Sequence, residues 1–389
     1  ALMSKVVSNG NTESAKIENT QNIDIIKLML PHALAPGETI TIKTPFRVKI
    51  PYVFSRMGHN DQSYQISQWF PKPAVYDASG WHPMPYLDQG EFYSEYGDYE
   101  VSITLPDNYI VMGTGNIQEA TENEWLDRLS QVKVDSMYIS QHKDKPKSSP
   151  NQKTITFRES NIHDFAWFAD KNWVVRKDTV MQPDGSGIVT AYSAFYPKHY
   201  DAWKNSVNSI KKTIRGYGSK VGIYPYETVK VVEGSLKAGG GMEYPTVTVI
   251  EASNNANTVD KVIVHEVGHN WFYGILGSNE RDYPWMDEGI NSFYEGKFTG
   301  AGNRLQIFDK MDENNMAYTA LGASRKLYPA TMKSPIYPTI NYGVDIYMKV
   351  PLYLNYLEAY LGVEEFDRNM HEYFRTWQFK HPQPLDFES

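Results

Sequence analysis

The chain contains no cysteine. That removes disulfides, thiolate metal ligands and cysteine nucleophiles together. Any metal must be held by imidazole and carboxylate, a donor set that suits a catalytic site better than a closed structural one. Composition leaves the compartment open, since a cysteine-free chain is at ease in reducing and oxidising surroundings alike. Long apolar runs are also missing. The best, Ile23–Leu30, contains Asp24 and Lys27 and falls far short of the roughly 18 residues a membrane span needs. No membrane span is expected, and the polar, Asn/Ser-rich first twenty residues hold no apolar signal-peptide core. Basic stripes are absent as well: the net charge is −8, and the one lysine cluster, Lys143–Lys147, is interrupted by Asp144 and Pro146. It reads as a solvated loop, and nucleic acid is not an expected partner.

What is present is ordinary globular material, 389 residues of which 41% are hydrophobic and 22% charged, enough for two or three cores. The first part alternates apolar and polar residues in short β-branched runs, Thr39–Val48, Tyr99–Leu105 and Thr154–Phe157, separated by Pro/Gly/Asn/Asp turns. This pattern predicts a sandwich-like β layer. Beyond about residue 160 the texture changes. Strands are predicted at Thr228–Glu233 and Thr246–Glu251. Helices are predicted at Asp201–Tyr217, Thr258–Leu276 (capped by Asn257 or Thr258), Asp287–Phe298, Asn303–Tyr318, Asp345–Leu361 and Glu364–Trp377. The boundary falls near 158–165. The final residues, from Pro382, read as a connection leading into one more helix, so a fragment of a longer protein is expected.

One motif carries chemistry. His265-Glu-Val-Gly-His269 follows the apolar Val262-Ile-Val264 on a predicted helix. Residues four apart share a helix face, so both imidazoles can reach one metal ion while Glu266 points into the space beside it. Zinc then needs a third protein ligand and an open position for water. Eighteen residues separate His269 from Glu288, which opens a second predicted helix and can fold back across the pair. Glu295 lies seven residues further, on the same helix face, and is placed to support the ligands from behind. One zinc ion per chain is expected, with Glu266 as general base towards a zinc-activated water.

These residues resemble the aminopeptidase N family of gluzincins, in particular a bacterial branch. That family combines His-Glu-x-x-His, eighteen residues and Glu with an upstream Gly-x-Met-Glu-Asn loop. Here the loop is Gly240-Gly-Met-Glu-Tyr244, with Tyr244 in place of the asparagine. The resemblance implies that Glu243 holds the free α-amine of a peptide, and that Gly240, Gly241 and Met242 line the substrate. Tyr347-Met-Lys-Val350 is similar to the family's Tyr-Glu-Lys-Gly, which implies Tyr347 as donor to the oxyanion, with Tyr342 as the rival. Gln68-Trp-Phe-Pro71 and Gly90-Glu-Phe-Tyr93 also resemble the bacterial branch. A Gln or Glu from the first domain helps hold the amine in the family, and Gln62 is the position that matches loosely.

The resemblance implies an α+β multidomain fold. Residues 1–160 would form an N-terminal β-sandwich and residues 161–389 a thermolysin-like zinc catalytic domain, cut short at its C-terminus. It implies an aminopeptidase acting on peptides with a free N-terminus, and it leans towards a cell-envelope or extracytoplasmic location in a bacterium. The oligomeric state stays open. Alternatives are a glycyl-aminopeptidase type of gluzincin, an endopeptidase, epoxide hydrolysis at the same zinc, and a non-catalytic peptide-binding scaffold. The intact set of His265, Glu266, His269 and Glu288 speaks against the scaffold.

Overall fold

The computed structural model describes residues 5–8, 11–235, 237, 239–299 and 313–388. The fold is α+β, with strands concentrated in the first half and helices in the second. In the first part, strands Gly97–Pro106, Gln152–Ile162 and Asn116–Ile117 form one sheet, and Ile110–Gly113, Trp167–Asp170, Ser63–Ile66 and Gly58–Asn60 form another. The inward residues of both, among them Ile103, Val111, Ile155, Phe157 and Ala169, pack into one cluster. That is the sandwich the alternation predicted. Of the expected Thr39–Val48 run only Thr41–Lys43 is strand, because Pro45 has no N–H to offer the ladder. Helices Ala120–Ser130 and Ser136–Gln141 interrupt the β part and were not predicted. Asp135 caps the second by accepting from the Tyr138 N–H.

A five-stranded sheet begins at Val174, in the order Val174–Met181, Ile188–Phe195, Thr228–Gly234, Val247–Glu251, Gly241–Met242. The three central strands run parallel, and Gly241–Met242 lies antiparallel at the edge, pairing Gly241 with Ile250 and Met242 with Val249. Helix Ser206–Lys220 makes the crossover and buries Val207, Ile210, Ile214 and Tyr217, a stripe at helical spacing. Against it packs helix Ala256–Gly268, which buries Val259, Ile263, Val264 and Val267. The two helices meet where Gly268 passes Tyr217 and Asn291: a Cβ there would stand 2.3 Å from the Tyr217 hydroxyl and from Asn291 Oδ1. Only glycine allows that approach.

The helices that follow differ from expectation in three places. The first ends at Gly268, not Leu276, and begins under Asn255, whose side chain accepts from the N–H groups of Asn257 (2.9 Å) and Thr258 (3.1 Å). The expected Asp287–Phe298 helix starts as a π-helical turn, Trp285–Gly289, before the α-helix Ile290–Thr299. The expected Asp345–Leu361 helix is two, Thr339–Tyr347 and Lys349–Leu361, because Pro351 cannot donate to the carbonyl one turn back. Of Asn303–Tyr318 only the part from Glu313 lies within the described residues, as helix Glu313–Ala323. Val363–Trp377 and the short Pro384–Glu388 complete the chain. Among the described residues no helix is long and apolar enough to cross a membrane.

Candidate metal centre and substrate site

Helix Ala256–Gly268 and the π-helical turn converge on one point. His265 Nε2 lies 3.3 Å from Glu288 Oε2, His269 Nε2 lies 3.1 Å from the same oxygen, and the two Nε2 atoms are 3.2 Å apart. Ligand atoms about 2.0–2.1 Å from a tetrahedral zinc would be about 3.3–3.4 Å from one another, so the triangle has the size of one face of a zinc site. The ring protons are committed elsewhere. His265 Nδ1 faces Glu295 Oε2 at 3.0 Å, and His269 Nδ1 faces Asp287 Oδ1 at 2.6 Å. Each carboxylate holds its imidazole in the tautomer whose Nε2 lone pair points inward. Glu288 Oε2 accordingly is buried without a hydrogen-bond donor. Three inward-facing lone pairs fit a cation, and the donor set of two imidazoles and a carboxylate fits zinc.

Electrostatics point the same way. Burial would lower His265, yet the Glu288 and Glu295 carboxylates beside its ring raise it to about 10. Against the cost of its own burial, the two histidines hold Glu288 well below the usual carboxylate range. A dication answers the same negative field. The π-helical turn explains how consecutive residues flank one ring: the widened turn aims Asp287 at Nδ1 of His269 and Glu288 at its Nε2. Asp287, which nothing in the sequence singled out, is fully buried. Glu295 stands behind His265, where helix spacing placed it.

Glu266 is buried beside the ligands, and burial pushes it up to about 7 while both histidines pull it down. Its carboxylate lies against the backbone of Gly241, where a Cβ would come 2.4 Å from Glu266 Cδ. Gly240 sits at φ +36°, and its carbonyl accepts from Glu251 N–H at 2.9 Å, holding the loop to the sheet edge. Met242 turns into the core beside Tyr244 and Val249, so only its backbone is offered to the edge. Glu243, next along the strand, is buried with Oε1 unpartnered. It offers an oxygen within 4.8 Å of both a His269 ring nitrogen and an Asp287 carboxylate oxygen.

Tyr347 ends the helix Thr339–Tyr347, and its ring lies over His265 with centroids 5.8 Å apart and planes 27° apart. Burial, reinforced by the Glu288 charge, holds its hydroxyl well above the usual tyrosine range. Tyr342, the rival, donates its hydroxyl to Glu280 Oε1. Gln62 is not brought into the site. It sits at the hairpin tip between Gly58–Asn60 and Ser63–Ile66, and its amide oxygen accepts from Lys171 Nζ and from Ser148 Oγ at 3.3 Å. The residue that does arrive from the first part is Glu91. It is buried, forked with Arg56 (Nη2 to Oε1 2.6 Å), and after burial its charge is the largest influence raising Glu243. Its signal was the Gly90-Glu-Phe-Tyr93 run. Gly90 is held at φ +94°, where a Cβ would meet Ser334 Cβ at 2.8 Å.

Residues 206–389 match the family model described as the peptidase family M1 domain. Among curated proteins, leucine aminopeptidase 2-1 of Meyerozyma guilliermondii is 28% identical over 152 residues, covering 36% of this chain and 25% of that protein. The chain therefore spans about a quarter of the length of the curated relatives it matches first. Among solved structures, an M1 zinc metallopeptidase from Deinococcus radiodurans superimposes with a TM-score of 0.61 at 15% identity, covering 100% of this chain and 80% of that one. Legionella pneumophila aminopeptidase A, solved with aspartic acid, gives a TM-score of 0.64 at 12% identity, covering 100% of this chain and 42% of its own. These two likenesses concern the fold.

Proposed function

We propose that the chain, whose residues 206–389 match the peptidase family M1 domain, is the catalytic part of a zinc aminopeptidase of the aminopeptidase N group of gluzincins. It would release N-terminal residues from peptides. His265, His269 and Glu288 hold the zinc, and Asp287 and Glu295 fix the two imidazoles. Zinc held by these residues would polarise the scissile carbonyl and lower the pKa of a water to about 7. Glu266 takes the proton of the attacking water and passes it to the leaving amine. Tyr347, lying over His265, donates its hydroxyl to the oxyanion. The outer edge of Gly241–Met242, the last strand of its sheet, pairs with the backbone of an extended substrate.

The observation that carries the aminopeptidase reading is the buried, unpartnered Glu243 Oε1 next to the metal ligands. Arg56 is paired with Glu91, and an ammonium group arriving beside Glu243 would supply the donor its Oε1 lacks and favour its charged form. The amine is thereby held a fixed distance from the cut bond.

The test is a pair of peptide reporters of one sequence, with a free and an acetylated N-terminus, assayed on the full-length protein with and without chelator. Only the free-amine reporter should be cleaved, and chelator should abolish the turnover. Glu243→Ala should keep its zinc and lose most of that activity. Equal cleavage of both reporters by the unaltered protein would reject the aminopeptidase and leave an endopeptidase.

A further inference from the structure

Glu280 is completely buried, eight residues before Glu288 in the chain. A buried carboxylate is costly unless hydrogen bonds repay its lost water, and here they come from two distant segments. Oε2 accepts the backbone N–H of Glu91. Oε1 accepts the hydroxyl of Tyr342 and, at 3.1 Å, that of Ser334, which also donates to the Glu280 carbonyl at 2.8 Å. Arg281 extends the junction by donating to the carbonyls of Pro85 (2.6 Å) and Gly90 (3.0 Å), while its own carbonyl accepts from Ser334 N–H at 2.9 Å. The chain at Gly90 passes so close that a Cβ would lie 3.4 Å from Glu280 Oε2. One side of the junction thus bears Glu91, at the amine end. The other bears Tyr342, whose ring meets that of Tyr347 edge-on at 5.7 Å, at the oxyanion end.

We propose that Glu280 is a positioning residue: one carboxylate sets Glu91 against Glu243 and, through Tyr342, sets Tyr347 against His265. Recognition of the amine and stabilisation of the transition state are then fixed by a single acceptor. This rests on the aminopeptidase reading above. The chemistry explains the residue type. The Glu91 N–H can only donate, and a carboxylate can only accept. A glutamine can reproduce the arrangement: its oxygen faces the Glu91 N–H, its NH₂ faces the hydroxyls of Tyr342 and Ser334, and these reverse to accept.

The experiment uses the full-length zinc enzyme and its E280A, E280D and E280Q variants. Two hydroxamate inhibitors with the same side chain serve as probes, one bearing the α-amine and one with hydrogen in its place. The unaltered enzyme should prefer the amine-bearing probe. In E280A that preference and kcat on a free-amine reporter should each fall by about tenfold or more, with zinc content unchanged. E280D, which draws the acceptor back by one methylene, should fall in the same direction and decides the matter if E280A does not fold. E280Q should stay within about threefold of the unaltered enzyme in both readings, because its hydrogen bonds are conserved. If E280A and E280D keep both the preference and kcat, Glu280 is only a packing residue and the proposal falls alone. If the unaltered enzyme shows no preference for the amine, the aminopeptidase reading falls and takes the proposal with it.

Discussion

The carboxylates behind His265 and His269, the proposed zinc ligands, should differ in worth, and the structure ranks them. Asp287 Oδ1 lies 2.6 Å from His269 Nδ1 and is fully buried, with no cation paired to it among the described residues. Glu295 Oε2 lies 3.0 Å from His265 Nδ1, is slightly exposed, and shares its charge with Lys261 at 3.6 Å. Removing such a partner typically costs about 10–100-fold in metal affinity, or about 1.4–2.7 kcal/mol. Asp287→Asn keeps an oxygen for the Nδ1 proton but loses the charge that attracts the dication, so a loss of about tenfold is expected. Asp287→Ala loses the acceptor as well and frees the ring to turn, which moves the loss towards about 100-fold. Glu295→Gln should lose less than about tenfold, since Lys261 already offsets part of that charge and water can reach the site. Competition titration of zinc against a chromophoric chelator at fixed pH measures all three. Unfolding of the metal-free proteins, followed separately, isolates any stability change from affinity. The reasoning is refuted if Glu295→Gln weakens zinc more than Asp287→Asn, because burial and distance would then not be what sets the ranking.

Other expectations concern the space around the metal. Tyr347→Phe should lower kcat by about 10²–10³-fold with little change in KM, as an oxyanion donor acts in the transition state. Steady-state kinetics that instead cripple Tyr342→Phe and spare Tyr347→Phe would move the role to the other tyrosine. Gly241→Ala should keep its zinc yet lose turnover, because the added Cβ at 2.4 Å from Glu266 Cδ displaces the carboxylate proposed as general base; metal analysis beside kcat checks both halves. Burial pushes His163 down to about 3 from an ordinary 6.5, against the opposing pull of Asp164. The unfolded chain therefore takes up this proton first. The contribution to stability is whole above pH 6.5 and is lost as the pH falls towards 3, with a slope of up to about 1.4 kcal/mol per pH unit. Urea midpoints at pH 7 and 5 should converge in His163→Gln, and an unchanged gap would show that another group is responsible.

The primary structure by itself singled out the candidate metal ligands. His265, His269 and Glu288 are legible because helical periodicity converts spacing into direction: four residues return to one face, and a short connection can bring a second helix across it. The same local rule placed Glu295 behind His265, and alternation exposed the strands of the sandwich. What lay beyond that reach was decided by contacts between residues distant in the chain. Glu91 comes close enough for its charge to act on Glu243 because the first part of the fold docks on the Glu280–Arg281 junction, and no local period encodes hydrogen bonds across 189 and 191 positions. Gln62 matched the expected residue type, but a hairpin turn carried it to Lys171. Asp287 was hidden because a regular α-helix would aim neighbouring side chains about 100° apart, whereas the π-helical turn lets two consecutive carboxylates grip one imidazole. Tyr347 was visible only through resemblance, and packing is what separates it from Tyr342: one ring covers His265, while the other hydroxyl is tied to Glu280. Ligand spacing is a property of single helices. The setting of Glu243, the carboxylates behind the imidazoles and the different places of the two tyrosines depend on which surfaces meet when the elements pack.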